Sequence, residues 1–153
     1  LDGLTSLSDA ASESLSKHKY TLYLNGLTSI SDVLAKHLSR LGYDHGFHNL
    51  TSISDTTAKY LSEYMGEIYL SGLTSISDTA AKYLSEYKGE YLNLDGLASI
   101  SDTAAEHLSE YQGHLNLDNL TFLSDIAAKH LSKQPNLFVK DKSIRGKIDK
   151  YKK

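Results

Sequence analysis

The sequence predicts an α/β solenoid, a right-handed arc with a parallel β-sheet on its concave side and helices on its convex side. Three observations predict it. A Ser-Asp pair recurs with Asp9, Asp32, Asp55, Asp78, Asp102 and Asp125, at spacings of 23, 23, 23, 24 and 23 residues. Each unit joins a short alternating segment to a segment of helical period. Aliphatic columns also hold one phase throughout: Leu4, Leu27, Leu50, Leu73, Leu97 and Leu120 lie five before the Asp, and Leu15, Leu38, Leu61, Leu84, Leu108 and Leu131 six after it. An Ile or Leu stands two before it each time. One unit cannot hide its apolar face, but stacked units hide one another's.

The elements of a unit follow in order. The strand is the alternating segment Leu22-Tyr23-Leu24, Ile68-Tyr69-Leu70, Leu92-Asn93-Leu94 or Leu115-Asn116-Leu117. Alternation sends its two aliphatic residues to one face and the residue between them to the other. After the strand comes Gly26, Asn49, Gly72, Gly96 or Asn119, and a slot filled only by Gly and Asn predicts a turn with positive φ. Ser-Asp then supplies side-chain oxygens for the first amides of a helix, with the acid favourably placed against its dipole. The helix is expected from Asp78 to Tyr87 in the fourth unit, with Gly66, Gly89 and Gly113 ending three of the helices. Strands pack about 4.8 Å apart and helices about 8 to 10 Å, so strands fall on the inside of the curve.

The pattern Leu-x-Leu-x-Gly-Leu-Thr-Ser-Ile-Ser-Asp-x-Ala-Ala-x-x-Leu resembles a leucine-rich repeat. Its Ile-Ser-Asp-x-x-Ala-x-x-Leu half is similar to the Ile-Thr-Asp-x-x-Leu-x-x-Leu half of the cysteine-containing subtype. Gly or Asn stands where that subtype has its cysteine, and in this the chain resembles the short bacterial repeats with Gly-Leu-Thr-Ser-Leu-Ser. The resemblance covers residues 1–140 in about six repeats and leaves 141–153 as a basic C-terminal cap or tail. It implies a recognition surface on the parallel sheet and no catalytic residue.

Residues expected to face outward can be assigned by phase. The central strand column is Tyr23, Gly46, Tyr69, Asn93 and Asn116, continuing to Val139. The next is Asn25, His48, Ser71, Asp95 and Asp118, continuing to Asp141. These columns vary while the Leu columns do not, which marks them as a binding face or as a solvated sheet surface with no partner. Tyr23 and Tyr69, two strand spacings or about 9.6 Å apart across Gly46, leave room for one flat group, unless the rings lean together and fill it. Asp95 and Asp118 repel each other unless solvated, paired or cation-bound.

Asp44, His45 and His48 in the least regular unit resemble a ligand set for a metal. Alternation points His45 inward and the other two outward, so one strand cannot aim all three at one ion, and no metal site is assigned. On the helical side, Lys36, Lys59, Lys82, Glu106 and Lys129 share a solvated phase, with weak ion pairs expected to Glu63 and Glu86. His37, Tyr60, Tyr83, His107 and His130 form one aromatic column, and His18, Leu41, Tyr64, Tyr87 and Tyr111 another. Packing between neighbouring helices is the expected role of both.

At 153 residues the chain is long enough for one domain with a substantial core. A net charge of -3 gives no electrostatic basis for nucleic acid. The absence of cysteine excludes disulfides, thiolate zinc sites and a cysteine nucleophile while leaving the compartment open, cytoplasmic or extracellular. No apolar run is long enough to span a membrane. The N-terminus lacks an initiator Met and opens within a repeat, which reads as a mature product or a piece of something longer. Phosphate loops, nucleophile elbows and His-Glu-x-x-His are missing, so no cofactor and no catalytic residue are assigned and the chain is read as not an enzyme. The expected function is recognition of a protein, peptide or glycan on the concave face. The alternative is a structural protein that stacks end to end through uncapped ends into an oligomer or filament.

Overall fold

A computed structural model describes residues 3–15, 17, 24–40 and 47–152. Tyr23, Gly46, Asp44, His45, His18 and Leu41 lie outside the described residues. The chain is an α/β structure. Among the described residues seven helices, α1 (Asp9–Leu15), α2 (Asp32–Leu38), α3 (Asp55–Ser62), α4 (Asp78–Ser85), α5 (Asp102–Leu108), α6 (Asp125–Leu131) and α7 (Lys142–Asp149), accompany four strands. The strands β1 (Ile68–Tyr69), β2 (Tyr91–Asn93), β3 (His114–Asn116) and β4 (Leu137–Phe138) form one parallel sheet in chain order. Successive helices pack on each other in the same order, and the core lies between the two rows. No helix among the described residues is long and apolar enough to cross a membrane.

Helix starts follow the local chemistry. Ser31, Ser54, Ser77, Ser101 and Ser124 have extended backbone, and each hydroxyl accepts a hydrogen bond from the amide three residues on. Each of the last four hydroxyls also donates, to the carboxylate that opens the preceding helix: Ser54 to Asp32, Ser77 to Asp55, Ser101 to Asp78 and Ser124 to Asp102. A hydroxyl can do both, since it carries one proton and two lone pairs. The Ser-Asp pair therefore joins units as well as starting helices. A second ladder runs beside it, in which Thr28, Thr51 and Thr74 each donate from the backbone N–H and from the hydroxyl to the carbonyl 23 residues earlier.

Helices end earlier than expected, and not at glycine. Ser62, Ser85, Ser109 and Ser132 turn their hydroxyls onto carbonyls three residues back, and Glu63, Glu86, Ser109 and Ser132 are right-handed caps. The pairs expected of Lys59 with Glu63 and Lys82 with Glu86 are not formed. The ion pairs among the described residues are Lys147 with Asp125 and Lys152 with Asp149.

Gly66, Gly89 and Gly113 follow the helices because Tyr64, Tyr87 and Tyr111 fold over them. A Cβ at Gly89 would stand 1.9 Å from the Tyr87 hydroxyl. These three tyrosines are buried, as packing requires, while the other two members of their column, His18 and Leu41, lie outside the described residues. Tyr111 donates to the Gly89 carbonyl at 2.8 Å, Tyr87 to that of Gly66, and the Tyr87 and Tyr111 rings stack at 6.1 Å. Burial, then the neighbouring Tyr87 and Glu90, pushes the Tyr111 phenol well above the usual tyrosine range. Gln134 takes the same place in the next unit, donating to the Tyr111 carbonyl at 2.7 Å.

The turn glycines correct a second expectation. Neither Gly72 nor Gly96 has positive φ; a Cβ would instead meet carbonyl oxygens of the preceding unit, 2.6 Å away at Gly72 and 2.3 Å at Gly96. Space between units, not torsion, demands glycine there. At the chain's far end α7 buries Ile144 and Ile148 in the core, and Asp141 caps it by accepting from the Ser143 and Ile144 amides. Lys147 pairs with Asp125 at 3.3 Å and donates to the Leu123 carbonyl at 2.7 Å, occupying the place that a following Ser would take in the ladder.

Candidate functional site

The sheet has an inward face of Ile68, Leu70, Leu92, Leu94, Leu115, Leu117 and Val139, all buried. Its other face carries the residues between them, since successive strand residues alternate. Register fixes the columns: Tyr69 pairs with Asn93, Asn93 with Asn116, and Asn116 with Phe138. Val139 is therefore not the outward residue of the last strand. It is buried at 2% exposure, whereas Phe138 is 44% exposed. The same one-residue shift moves Asp141 off the sheet to cap α7 and puts Lys140 after Val139. The unit is one residue shorter here: three residues separate Tyr111 from Leu115, but two separate Gln134 from Leu137.

The outward aromatic groups touch one another. His48 and Tyr69 have ring centroids 5.1 Å apart, Tyr69 and Tyr91 6.0 Å, and His114 and Phe138 5.7 Å. The Tyr69 hydroxyl donates to the Glu67 carboxylate. Tyr69 thus has His48 on one side and Tyr91 on the other; the Tyr23–Gly46 part of the expected slot lies outside the described residues.

The two asparagines are less available than expected. Each side-chain oxygen accepts the amide two residues on, Asp95 N–H at 2.9 Å for Asn93 and Asp118 N–H at 3.0 Å for Asn116. Asn116 is also buried, and its Nδ2 donates to the Tyr91 hydroxyl at 3.3 Å. These bonds hold the Asp95 and Asp118 backbones. Ser71 donates to the His48 carbonyl at 3.3 Å, and Asn49 donates to the carbonyl of Asn25. Partial burial and the Asp118 carboxylate raise the Asp95 carboxyl above its ordinary value, opposed by a backbone hydrogen bond and His48.

A third outward column escaped the sequence reading. Glu67, Tyr91, His114 and Asn136 precede the first inward residue of their strands, and Tyr69, Glu90, Tyr91, His114 and Glu67 line an open cleft of about 400 Å³. The signal was the single 24-residue spacing. Two residues lead from Gly66 to Ile68 and from Gly113 to Leu115, but three from Gly89 to Leu92. The added length lies at Glu90-Tyr91, where the Glu90 carbonyl accepts the His114 amide at 2.7 Å.

Among the described residues no group of three His, Asp or Glu is arranged to hold a metal ion. No protein-family model matches the chain, and no curated protein or solved structure matches it.

Proposed function

We propose that the chain is a leucine-rich-repeat-like solenoid whose concave sheet face is a non-catalytic recognition surface for a protein, peptide or glycan. One observation carries the reading. The inward strand positions hold Ile, Leu or Val from β1 to β4, while the outward column changes from Tyr69 to Asn93, Asn116 and Phe138. A packing requirement alone explains the first column and leaves the second free to be used. The 23-residue ladders and the parallel order of strands and helices support the solenoid. Unequal spacing of strands and helices supports the arc.

The test compares two surfaces on one protein. Immobilised protein with alanine at Tyr69, Asp95 and Asp118 is expected to lose a partner captured from the native source. Protein with alanine at Lys59 and Lys82, on the helical side, should keep it. Equal capture by both variants would sink the assignment to the sheet.

A further inference from the structure

We propose that the cleft across β1, β2 and β3 receives an arginine or lysine side chain of a peptide, held against the tyrosine rings and beside two glutamates. The inference rests on the sheet face being the recognition surface and names what that surface takes.

Four features of the cleft point the same way. Its lining includes His114 and the rings of Tyr69 and Tyr91, whose centroids are 6.0 Å apart at a 44° tilt. Phenol faces attract cations through the ring quadrupole, and a flat guanidinium also stacks on them. Two glutamates, Glu67 and Glu90, are among its lining residues, and neither lysine nor arginine is. A cation gains Coulomb attraction from both, whereas a neutral sugar must displace their water without that return.

The cleft also sits where the repeat changes length. The longer link through Glu90 and Tyr91 is unneeded by the fold, because the units on either side close with one residue fewer. With two residues where its neighbours have one, this link presents a carboxylate, Glu90, and a ring, Tyr91, together. Finally, the wider field is acidic. Residues 140–153 hold seven of the sixteen basic and two of the nineteen acidic residues, leaving nine against seventeen in the rest of the chain. Asp95 and Asp118 flank the cleft's strands on the same face, so an approaching basic peptide is attracted before it docks.

The probe is an end-blocked Gly-Arg-Gly-Arg-Gly peptide, titrated into isotope-labelled protein and followed by amide NMR. Its citrulline counterpart, of the same shape without charge, and a neutral oligosaccharide are the comparisons. The arginine peptide is expected to move the signals of Tyr69, Tyr91 and His114, to bind more weakly as salt rises, and to outbind the citrulline peptide by about tenfold. Glu67→Gln with Glu90→Gln keeps the Tyr69 hydrogen-bond acceptor and should remove that preference. Tyr91→Leu, which keeps apolar bulk without a ring, should weaken binding independently. Equal binding of the citrulline peptide overturns the proposal, as does binding of the oligosaccharide alone or shifts centred on Glu106 and Glu110 of the helical side. If the peptide fails while alanine at Tyr69, Asp95 and Asp118 still abolishes partner capture, this inference falls and the sheet-face reading stands. If both fail, the sheet-face reading falls with it.

Discussion

The two long edges of the molecule use repetition in opposite ways. Along the turn edge the same bond is made unit after unit: the Ser cap donates to the preceding Asp four times over, from Ser54 to Ser124. Along the outward face of the sheet the side-chain contacts from strand to strand differ from one another. His48 meets Tyr69, Tyr69 meets Tyr91, Asn116 binds Tyr91, and His114 meets Phe138. Register serves both edges, but only the first needs identical residues to close it. A position whose partner is a copy of itself one unit away is constrained by the stack, and a position whose partner differs each time is available for something else.

The sharpest way to break that distinction is to cut neighbouring strand residues of opposite facing. Leu92→Ala, in the core, should cost about 3 kcal/mol in urea unfolding, from lost burial and the cavity left. Asn93→Ala, next to it and outward, should cost no more than about 1 kcal/mol through its bond to the Asp95 amide. Equal costs would erase the contrast between faces.

The ladder comes next in size. Ser101→Ala removes a helix cap worth about 1 kcal/mol and the bond to Asp78. If the ladder couples units, Ser101→Ala and Asp78→Ala together should fall short of the sum of their separate costs by about 0.5 kcal/mol or more. Additive losses would reduce the Ser to a local cap. Lys147→Met should have a smaller effect, under about 1 kcal/mol, since its ion pair with Asp125 is partly exposed and salt-screened. In an Asp125→Asn background that effect should shrink further; if it does not, the Leu123 carbonyl and not the carboxylate is what Lys147 serves.

The smallest expected change is a pH effect on the face itself. The Asp95 carboxyl is raised, first by burial and then by Asp118, so the fold favours its protonated form. Its stabilising contribution is present below the ordinary carboxylate range and is lost as pH rises through the folded-state value. Asp95→Asn should therefore raise the melting temperature slightly at neutral pH, with the gain fading below about pH 4. An unchanged difference between the two proteins across that window would show that neither burial nor Asp118 burdens the Asp95 charge.

Helix starts were legible because a cap is a local event: Ser77 and Asp78 lie beside the amides they serve. Glycine positions were legible, but their reasons were not. Gly72 faces the carbonyls of another unit and Gly89 lies under a ring from two residues back, and neither contact can be inferred from torsional preference. Within the described strands the central outward column was readable from Tyr69 to Asn116 and failed at Val139, where the link through Pro135 is one residue short and the phase slips. The same kind of link, one residue long at Glu90 and Tyr91, hid the cleft. Helix-to-strand links absorb length changes because neither the Ser-Asp nor the Thr ladder passes through them.

By itself the sequence determined the period, the inward Leu and Ile columns and the helix starts, since each depends on spacing along one chain or on groups within three residues. The tertiary structure alone decided that Asp32, Asp55, Asp78 and Asp102 bind the next unit's serine, that Tyr87 and Tyr111 close over glycine, and that Tyr69, Tyr91 and His114 share a cleft with two glutamates. Each of those facts depends on distances between units, and they become fixed only when the strands take their register.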